Sequence, residues 1–299
     1  MLEGMPGIRL KSPEITGIRG WINSKPLTIA TLKGKVVLVD FWTYSCINCI
    51  RTIPYLNKWH EKYSGRGLVI IGVHTPEFAF EGEFENVEAA VKRLGIKYPV
   101  ALDSDMRTWM SFDNNYWPAK YLIDDEGCVA YLHFGEGGYT ETERAIQDQL
   151  GISMKEEAGS APGYMFDQSP ETYAGFEKND GLGSGLACTK AGCRYVDNGG
   201  HDPNIIYPDG EWEQERQYLE LRKAPGRLSY RFNAREVNVV MAPADGPVKA
   251  EVSVNGEAVG SVTVGRPDMY TVFRDKRYSD RELVLTFDGK VRVYAYTFG

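Results

Sequence analysis

The sequence predicts an α/β domain, with a mixed central sheet flanked by helices, followed by an all-β sandwich or jelly roll. Three observations carry this. Through residue 150, strand-like and helix-like patterns alternate and close on a hairpin and a helix, the order of an α/β sheet with a mixed edge. Residues 151–163 are small and polar, the composition of a linker. From about residue 228 apolar residues recur at every second position, with Asn-Gly and Asp-Gly between the runs, which reads as antiparallel strands. The expected divisions are a domain over 1–150, a linker over 151–163 and a β domain over 164–299.

Val36-Val37-Leu38-Val39-Asp40-Phe41-Trp42 is a short, β-branched apolar run and predicts a buried strand. A helix is expected from Cys46 to Tyr63, interrupted early by Pro54 and ended by Gly65 and Gly67. Leu68 to His74 predicts a second buried strand. Glu83 to Leu94 places Val87, Val91 and Leu94 on one helical face, and Gly95 ends it. A short strand at Tyr98 to Leu102 and a helix at Met106 to Phe112 follow. Ala119 to Ile123 and Cys128 to Phe134 predict strands joined by the turn Asp124-Asp125-Glu126-Gly127. A helix from Thr140 to Leu150, with Thr140 as N-cap, closes the domain.

In the second domain residues 164 to about 210 show no periodicity. Leu228, Tyr230 and Phe232 then alternate, as do Val237, Val239 and Met241. Asn255-Gly256 and Asp288-Gly289 each predict a hairpin between the flanking runs.

Composition narrows the function. A hydrophobic fraction of 42% with 25% charged residues belongs to a soluble globular chain. A net charge of −7 argues against a general nucleic-acid binder, which would carry a basic stripe. The longest apolar stretches, such as Val36 to Val39, are far too short to span a bilayer. Met1 to Leu10 lacks the charged and apolar regions of a signal peptide. The chain is therefore expected to be cytosolic, or a soluble piece of something longer. Five cysteines, at 46, 49, 128, 188 and 193, form two close pairs and a singleton. Two local pairs suggest an oxidising or redox-handling compartment.

Cys46 and Cys49 stand three apart, after a buried strand and at the start of a helix. Unpaired backbone N–H groups and the positive dipole end favour a thiolate at Cys46. Cys49 lies one turn on and within reach of a disulfide. Cys46 would attack a substrate disulfide and Cys49 would resolve the mixed disulfide. A structural zinc needs four ligands, and the other candidates, Cys188, Cys193 and His201, belong to the other domain, so no metal site is expected. Haem attachment needs His directly after the second Cys, where Ile50 stands. A purely structural disulfide would not need this strand-to-helix setting. No cofactor is expected beyond the redox-active pair itself.

Val39-Asp40-Phe41-Trp42, Cys46-Ile47-Asn48-Cys49 and Pro54 together resemble the active-site segment of thioredoxins. The resemblance implies that Asp40 is a buried carboxylate beneath the resolving cysteine, able to take its proton; a solvated strand-end Asp is the alternative. It implies that Pro54 kinks the helix. It implies that Pro118, in Trp117-Pro118-Ala119-Lys120-Tyr121-Leu122-Ile123, is a cis proline facing the pair; a trans proline opening a strand is the alternative. Trp42, Trp117, Ile47 and Asn48 would then line the groove for an extended substrate chain.

The insert His74-Thr75-Pro76-Glu77-Phe78-Ala79-Phe80-Glu81 is similar to the extracytoplasmic TlpA-like branch. Trp42 to Cys49, Tyr98 to Asp103, Tyr116 to Ala119 and Gly135 to Tyr139 resemble most closely the soluble C-terminal region of DipZ proteins. Ser169-Pro170-Glu171-Thr172-Tyr173 and Tyr294-Ala295-Tyr296-Thr297-Phe298-Gly299 extend that resemblance to the second domain, which looks like a carbohydrate-binding module. The family implies a periplasmic or cell-envelope setting, protein thiol or disulfide substrates, and a membrane electron-transfer partner. Nothing in this sequence corresponds to the membrane-embedded region that DipZ proteins carry ahead of this one.

Weaker features remain. Cys188 and Cys193 suggest a local disulfide, with free thiols or a second redox pair as alternatives. Cys128 reads as a buried small hydrophobe. Glu77 and Glu81 are candidates for tuning the ionisation of the pair, or else solvated loop acids. His74 and His133 read as packed. Gly181-Leu182-Gly183-Ser184-Gly185 lacks the context of a dinucleotide loop. Trp212, Tyr230, Tyr270, Tyr294 and Tyr296 would stack on a glycan or fill the β core. The leading reading is an extracytoplasmic thiol–disulfide oxidoreductase, acting as a reductant. A thiol-dependent peroxidase, to which Thr43 three residues before Cys46 would contribute, and a glycan- or partner-binding protein are the alternatives.

Overall fold

The computed structural model describes residues 10–152, 168–179, 181–183 and 193–299. The chain divides into two compact units, 1–163 and 164–299. From residue 153 on, the expected linker lies outside the described residues.

The first unit carries strands β1 (Trp21–Ile22), β2 (Val36–Trp42), β3 (Leu68–His74), β4 (Val100–Leu102), β5 (Ala119–Ile123) and β6 (Val129–Phe134). Helices α1 (Ile47–Tyr63), α2 (Phe84–Arg93), α3 (Arg107–Ser111) and α4 (Tyr139–Gln149) are interleaved with them. The sheet runs β1-β4-β3-β2-β5-β6. β2, β3 and β4 are parallel neighbours, while β5 and β6 run antiparallel. This is the expected thioredoxin-like mixed sheet. Two apolar clusters cover its faces. One gathers Leu38, Ile53, Leu56, Trp59, Val87, Val91 and Ile146 with the long helices. The other joins Ile15, Ile29, Phe41, Trp109, Phe112 and Tyr121. A sheet covered twice has no wet face, so β2 is buried at every residue and reads as a continuous apolar run.

Two local expectations are corrected. α1 runs through Pro54 to Tyr63 without interruption. Thr140 is not the cap of α4: the N-cap is Gly138, with φ 57°, and the helix already starts at Tyr139. Gly135, Gly137 and Gly138 all take positive φ, and that turn lets the chain leave β6 and cap α4 two residues early.

The second unit is all-β, as expected. Its strands are β7 (Thr172–Tyr173), β8 (Arg194–Tyr195), β9 (Ile206–Gln214), β10 (Leu219–Asn233), β11 (Glu236–Pro243), β12 (Val248–Val254), β13 (Glu257–Val264), β14 (Asp268–Arg274), β15 (Asp280–Phe287) and β16 (Val291–Phe298). They form one ten-stranded sheet along β13-β12-β15-β10-β16-β11-β14, with β7, β8 and β9 attached at its side. Its end strands β13 and β14 touch, so the sheet curls nearly into a barrel. Leu228, Tyr230, Phe232, Val237, Val239 and Met241 all point into its core. Asn255-Gly256 makes the expected hairpin between β12 and β13, both residues at positive φ. Asp288-Gly289 does not. β15 and β16 both pair with β10, along different halves of that long strand, and not with each other. Among the described residues no helix is long and apolar enough to cross a membrane.

Gly72 in β3 shows how tightly the first unit is filled. A Cβ there would meet Trp42 Nε1 at 2.9 Å and Tyr98 Cε2 at 3.0 Å. Gly72→Ala is expected to destabilise the fold by about 1–3 kcal/mol through overpacking, read as a lower midpoint in urea unfolding; an unchanged midpoint would show that this core has slack.

Candidate active site

The pair sits where β2 delivers the chain to α1. Cys46 is the N-cap of that helix, in extended conformation with φ −84° and ψ 114°. Its sulfur accepts the Cys49 amide N–H at 3.3 Å, an orphan donor of the first helical turn. Cys46 is half-buried and Cys49 is 1% exposed, and both are free thiols. The Cys49 thiol donates to Cys46 Sγ at 2.7 Å, so the two sulfurs already stand side by side for a disulfide. Burial, followed by the bond to Cys46 and the charge there, pushes the Cys49 thiol well above its ordinary range. Such a thiol needs a base before it can attack.

Asp40 meets that need in position. It is 1% exposed, and its Oδ1 has no hydrogen-bond partner among the described residues. Burial pushes its carboxyl up to about 7, opposed by the Lys120 ammonium. Lys120 stands opposite Asp40 across the β2–β5 pair. It was not singled out from the sequence. The available signal was an acid and a base in two strands that a hairpin-edged sheet sets side by side.

The second acid near the pair is Glu81. It is fully buried, not a solvated loop acid, while Glu77 is half-buried. Ser45, directly before Cys46, donates to Glu81 Oε1 at 2.5 Å, and the amides of Glu77 and Phe78 donate to Oε2 at 2.7 and 2.9 Å. Burial and then the charge of Glu77 push its carboxyl up to about 7 against these bonds. Thr43 is buried, its hydroxyl engaged by Glu81 and 3.4 Å from His74 Nε2, so it presents nothing to a bound peroxide. His74 packs between Trp42 and Tyr44, and burial holds its pKa down to about 3, leaving it neutral.

Trp117–Pro118 is a cis peptide bond. β5 begins at Ala119 opposite Phe41, so Pro118 lies at the same end of the sheet as Trp42 and the pair beyond it. Trp117 is half-buried, packs at 4.1 Å on Trp109, and donates from Nε1 to the Thr75 carbonyl. Ile47 and Asn48 are half-buried beside Cys46. Trp42 does not belong with them. It has no exposed surface and cannot touch a docked chain; it packs edge-on to His74 and above Gly72. The apolar surface beside the cis turn comes instead from Tyr116 and Phe134, both exposed with ring centroids 5.1 Å apart.

The other candidates lie apart. Cys128 is a buried free thiol. Cys193 is disulfide-bonded, and Cys188 lies outside the described residues, as do Ser184 and Gly185. Trp212, Tyr230, Tyr294 and Tyr296 are buried in the second unit and offer no stacking platform; Tyr270 is partly buried. Among the described residues no three His, Cys, Asp or Glu side chains are set to hold a metal ion.

Residues 13–150 match the family model described as Redoxin, and residues 169–299 the one described as Thioredoxin like C-terminal domain. Protein DipZ of Mycobacterium tuberculosis is 33% identical across 96% of this chain, which spans 43% of that protein's length. The chain belongs to the thioredoxin-like superfamily. Two Bacillus subtilis proteins each match just under half of this chain. Thiol-disulfide oxidoreductase YkuV is 27% identical over 48% of this chain and 96% of its own length. Thiol-disulfide oxidoreductase ResA is 29% identical over 44% of this chain and 68% of its own length. The first unit is a domain of this thioredoxin-like kind. DipZ aligns with both units, whereas the YkuV and ResA matches each cover less than half of this chain.

The Asp40 carboxyl carries a pH signature. Unfolded, it titrates near 3.8; folded, near about 7. Between these values the folded chain holds a proton that the unfolded chain has lost, so stability falls as pH rises from about 4 to about 7. Asp40→Asn removes this loss. Its stability relative to the parent is expected to improve by roughly 4 kcal/mol between about pH 4 and about pH 8, measured by urea unfolding at both. A difference independent of pH would mean that Asp40 titrates normally.

Proposed function

We propose that this protein is an extracytoplasmic thiol–disulfide oxidoreductase that reduces disulfides in proteins and is recharged by a membrane electron-transfer partner. The observation that carries the reading is the Cys46–Cys49 pair itself: an accessible sulfur at a helix N-cap, a buried thiol 2.7 Å from it, and a buried carboxyl on the adjoining strand. The Cys46 thiolate attacks one sulfur of the substrate disulfide, and the other leaves as a thiolate. Asp40 takes the proton of Cys49, whose thiolate attacks Cys46 Sγ, closes the Cys46–Cys49 disulfide and expels the second substrate thiolate. The substrate gains two electrons and the pair loses two. A dithiol partner must return them.

The cis turn at Pro118, at the end of the sheet where the pair lies, with half-buried Trp117, Ile47 and Asn48, supports a protein substrate over a small one. Ile47 and Asn48 bring no charge to the helix start, which argues for a reducing pair. The membrane partner and the extracytoplasmic setting rest on the resemblance to DipZ proteins, of whose length this chain spans 43%.

Cys46→Ser is expected to bring the reduction of insulin disulfides down to the uncatalysed rate. Cys49→Ser should instead accumulate a mixed disulfide with the substrate, visible by mass spectrometry without reductant. A Cys46→Ser protein that retains the parent rate would sink the reading. A reduction potential near about −120 mV, the strong-oxidant end of the range, would reverse the direction of electron flow.

A further inference from the structure

Between β8 and β9 of the second unit the chain runs as an irregular stretch, residues 196–204. Apolar burial does not hold it there: its two apolar side chains, Val196 and Pro203, are exposed. The side chains turned inward are Asp197 and His201, 7% and 5% exposed. His201 Nε2 stands 2.7 Å from Asp197 Oδ1, and Nδ1 stands 3.0 Å from Glu282 Oε2 on β15. Its ring packs on that of Tyr207 in β9, with centroids 4.4 Å apart. Asp197 Oδ2 accepts from Ser229 Oγ of β10 at 2.8 Å, and Oδ1 also accepts from the Gly199 amide at 2.9 Å. One imidazole thus joins the stretch to three strands. Other charged groups around the cluster are Asp202 beside His201 in the chain, Asp209 of β9, which accepts from the Asp197 amide, and Arg231 of β10, which stands opposite Glu282 and pairs with Asp280.

Counting protons decides the state of the ring. A neutral imidazole has one N–H and one lone pair, whereas the imidazolium donates from both nitrogens. Each nitrogen of His201 faces a carboxylate oxygen, so a neutral ring would turn its lone pair on one of them. Asp197 does not supply the missing proton. Against burial, the bonds from His201, Gly199 and Ser229 hold its carboxyl below the ordinary range. Against burial, the bonds to Asp197 and Glu282 in turn raise His201 above its ordinary value.

We propose that His201 is a pH-sensitive latch: as imidazolium it clasps residues 196–204 to β9, β10 and β15, and on losing one proton to water it releases them. The inference is independent of the redox reading. His201 holds its proton more tightly folded than unfolded. The clasp is therefore complete below the ordinary histidine value, about pH 6.5, and is lost as pH rises through the higher folded value.

The test uses the full chain, labelled with nitrogen-15, from about pH 5 to about pH 9. Ring-nitrogen shifts should show both nitrogens of His201 protonated at the acid end, with a midpoint above that of free histidine. The Gly199, Asp202 and Asn204 amides donate to Asp197, to the Tyr207 hydroxyl and to the Arg231 carbonyl. Their protection from hydrogen exchange, each relative to its intrinsic rate at the same pH, should fall about tenfold through that midpoint, the loss of one charge-assisted bond. His201→Gln should show the low protection at every pH. Glu282→Gln should move the ring titration to lower pH; Glu282 is 45% exposed, so this variant carries the test if His201→Gln does not fold. A ring with one N–H at the acid end, protection that stays level through the His201 midpoint, or a parent-like profile in His201→Gln would overturn the proposal.

Discussion

The site depends on a strand that has no wet side. All seven residues of β2 are buried, because helices and the N-terminal segment cover both faces of the sheet. A carboxyl on such a strand can keep its proton or find a counter-charge; water is not available to it. Asp40 does some of each. Burial raises its pKa to about 7, and Lys120 on the adjoining strand pulls the other way. The balance leaves a group that changes charge near neutrality. A general base works best when its pKa lies near the working pH, and for the base role proposed for Asp40 burial in the sheet supplies that tuning.

The two buried acids illustrate how differently one residue type can be used. Glu81 has the same elevated pKa, but its oxygens accept from Ser45 and from two backbone amides. Those bonds tie the segment after β3 to the residue preceding Cys46, so Glu81 holds the approach to the helix start in place. Moving its proton would disturb that tie. Asp40 Oδ1 has no such bond. Its proton can come and go without dismantling local structure, which suits an acid that has to cycle.

Much of this was legible in the sequence, and the gaps have physical reasons. The limits of β2, β3 and β5 follow from apolar runs too short for helices, and the structure has them at the expected residues. Asp40, Cys46 and Cys49 were placed because motif spacing is local. Lys120 was not, because alternation carries no inside-outside information in a strand buried on both faces; only its register against β2 reveals its partner. Trp42 was misplaced for a related reason: adjacency to the pair in sequence did not say which face its ring would take. Glu81 was ambiguous because a loop acid is usually solvated, and its burial depends on the loop folding back against Ser45. In the second unit Asn255-Gly256 declared a hairpin through its own backbone preferences, whereas Asp288-Gly289 joins strands separated by β10, a long-range pairing that no turn signal encodes.

The distribution of unmet polarity ties these points together. Asp40 Oδ1, Lys120 Nζ, Trp42 Nε1 and the Tyr98 hydroxyl are all buried without hydrogen-bond partners among the described residues. They occupy one neighbourhood: Lys120 opposite Asp40, Tyr98 within the influence of Asp40 and Cys49, and Trp42 and Tyr98 both crowding Gly72. Each such atom works against stability by about 1–3 kcal/mol. A sequence selected for packing alone would fill this patch with apolar side chains. Local conflict of this kind belongs where chemistry requires it, and here it lies beside the buried Cys49 thiol, which loses its proton in the mechanism proposed above.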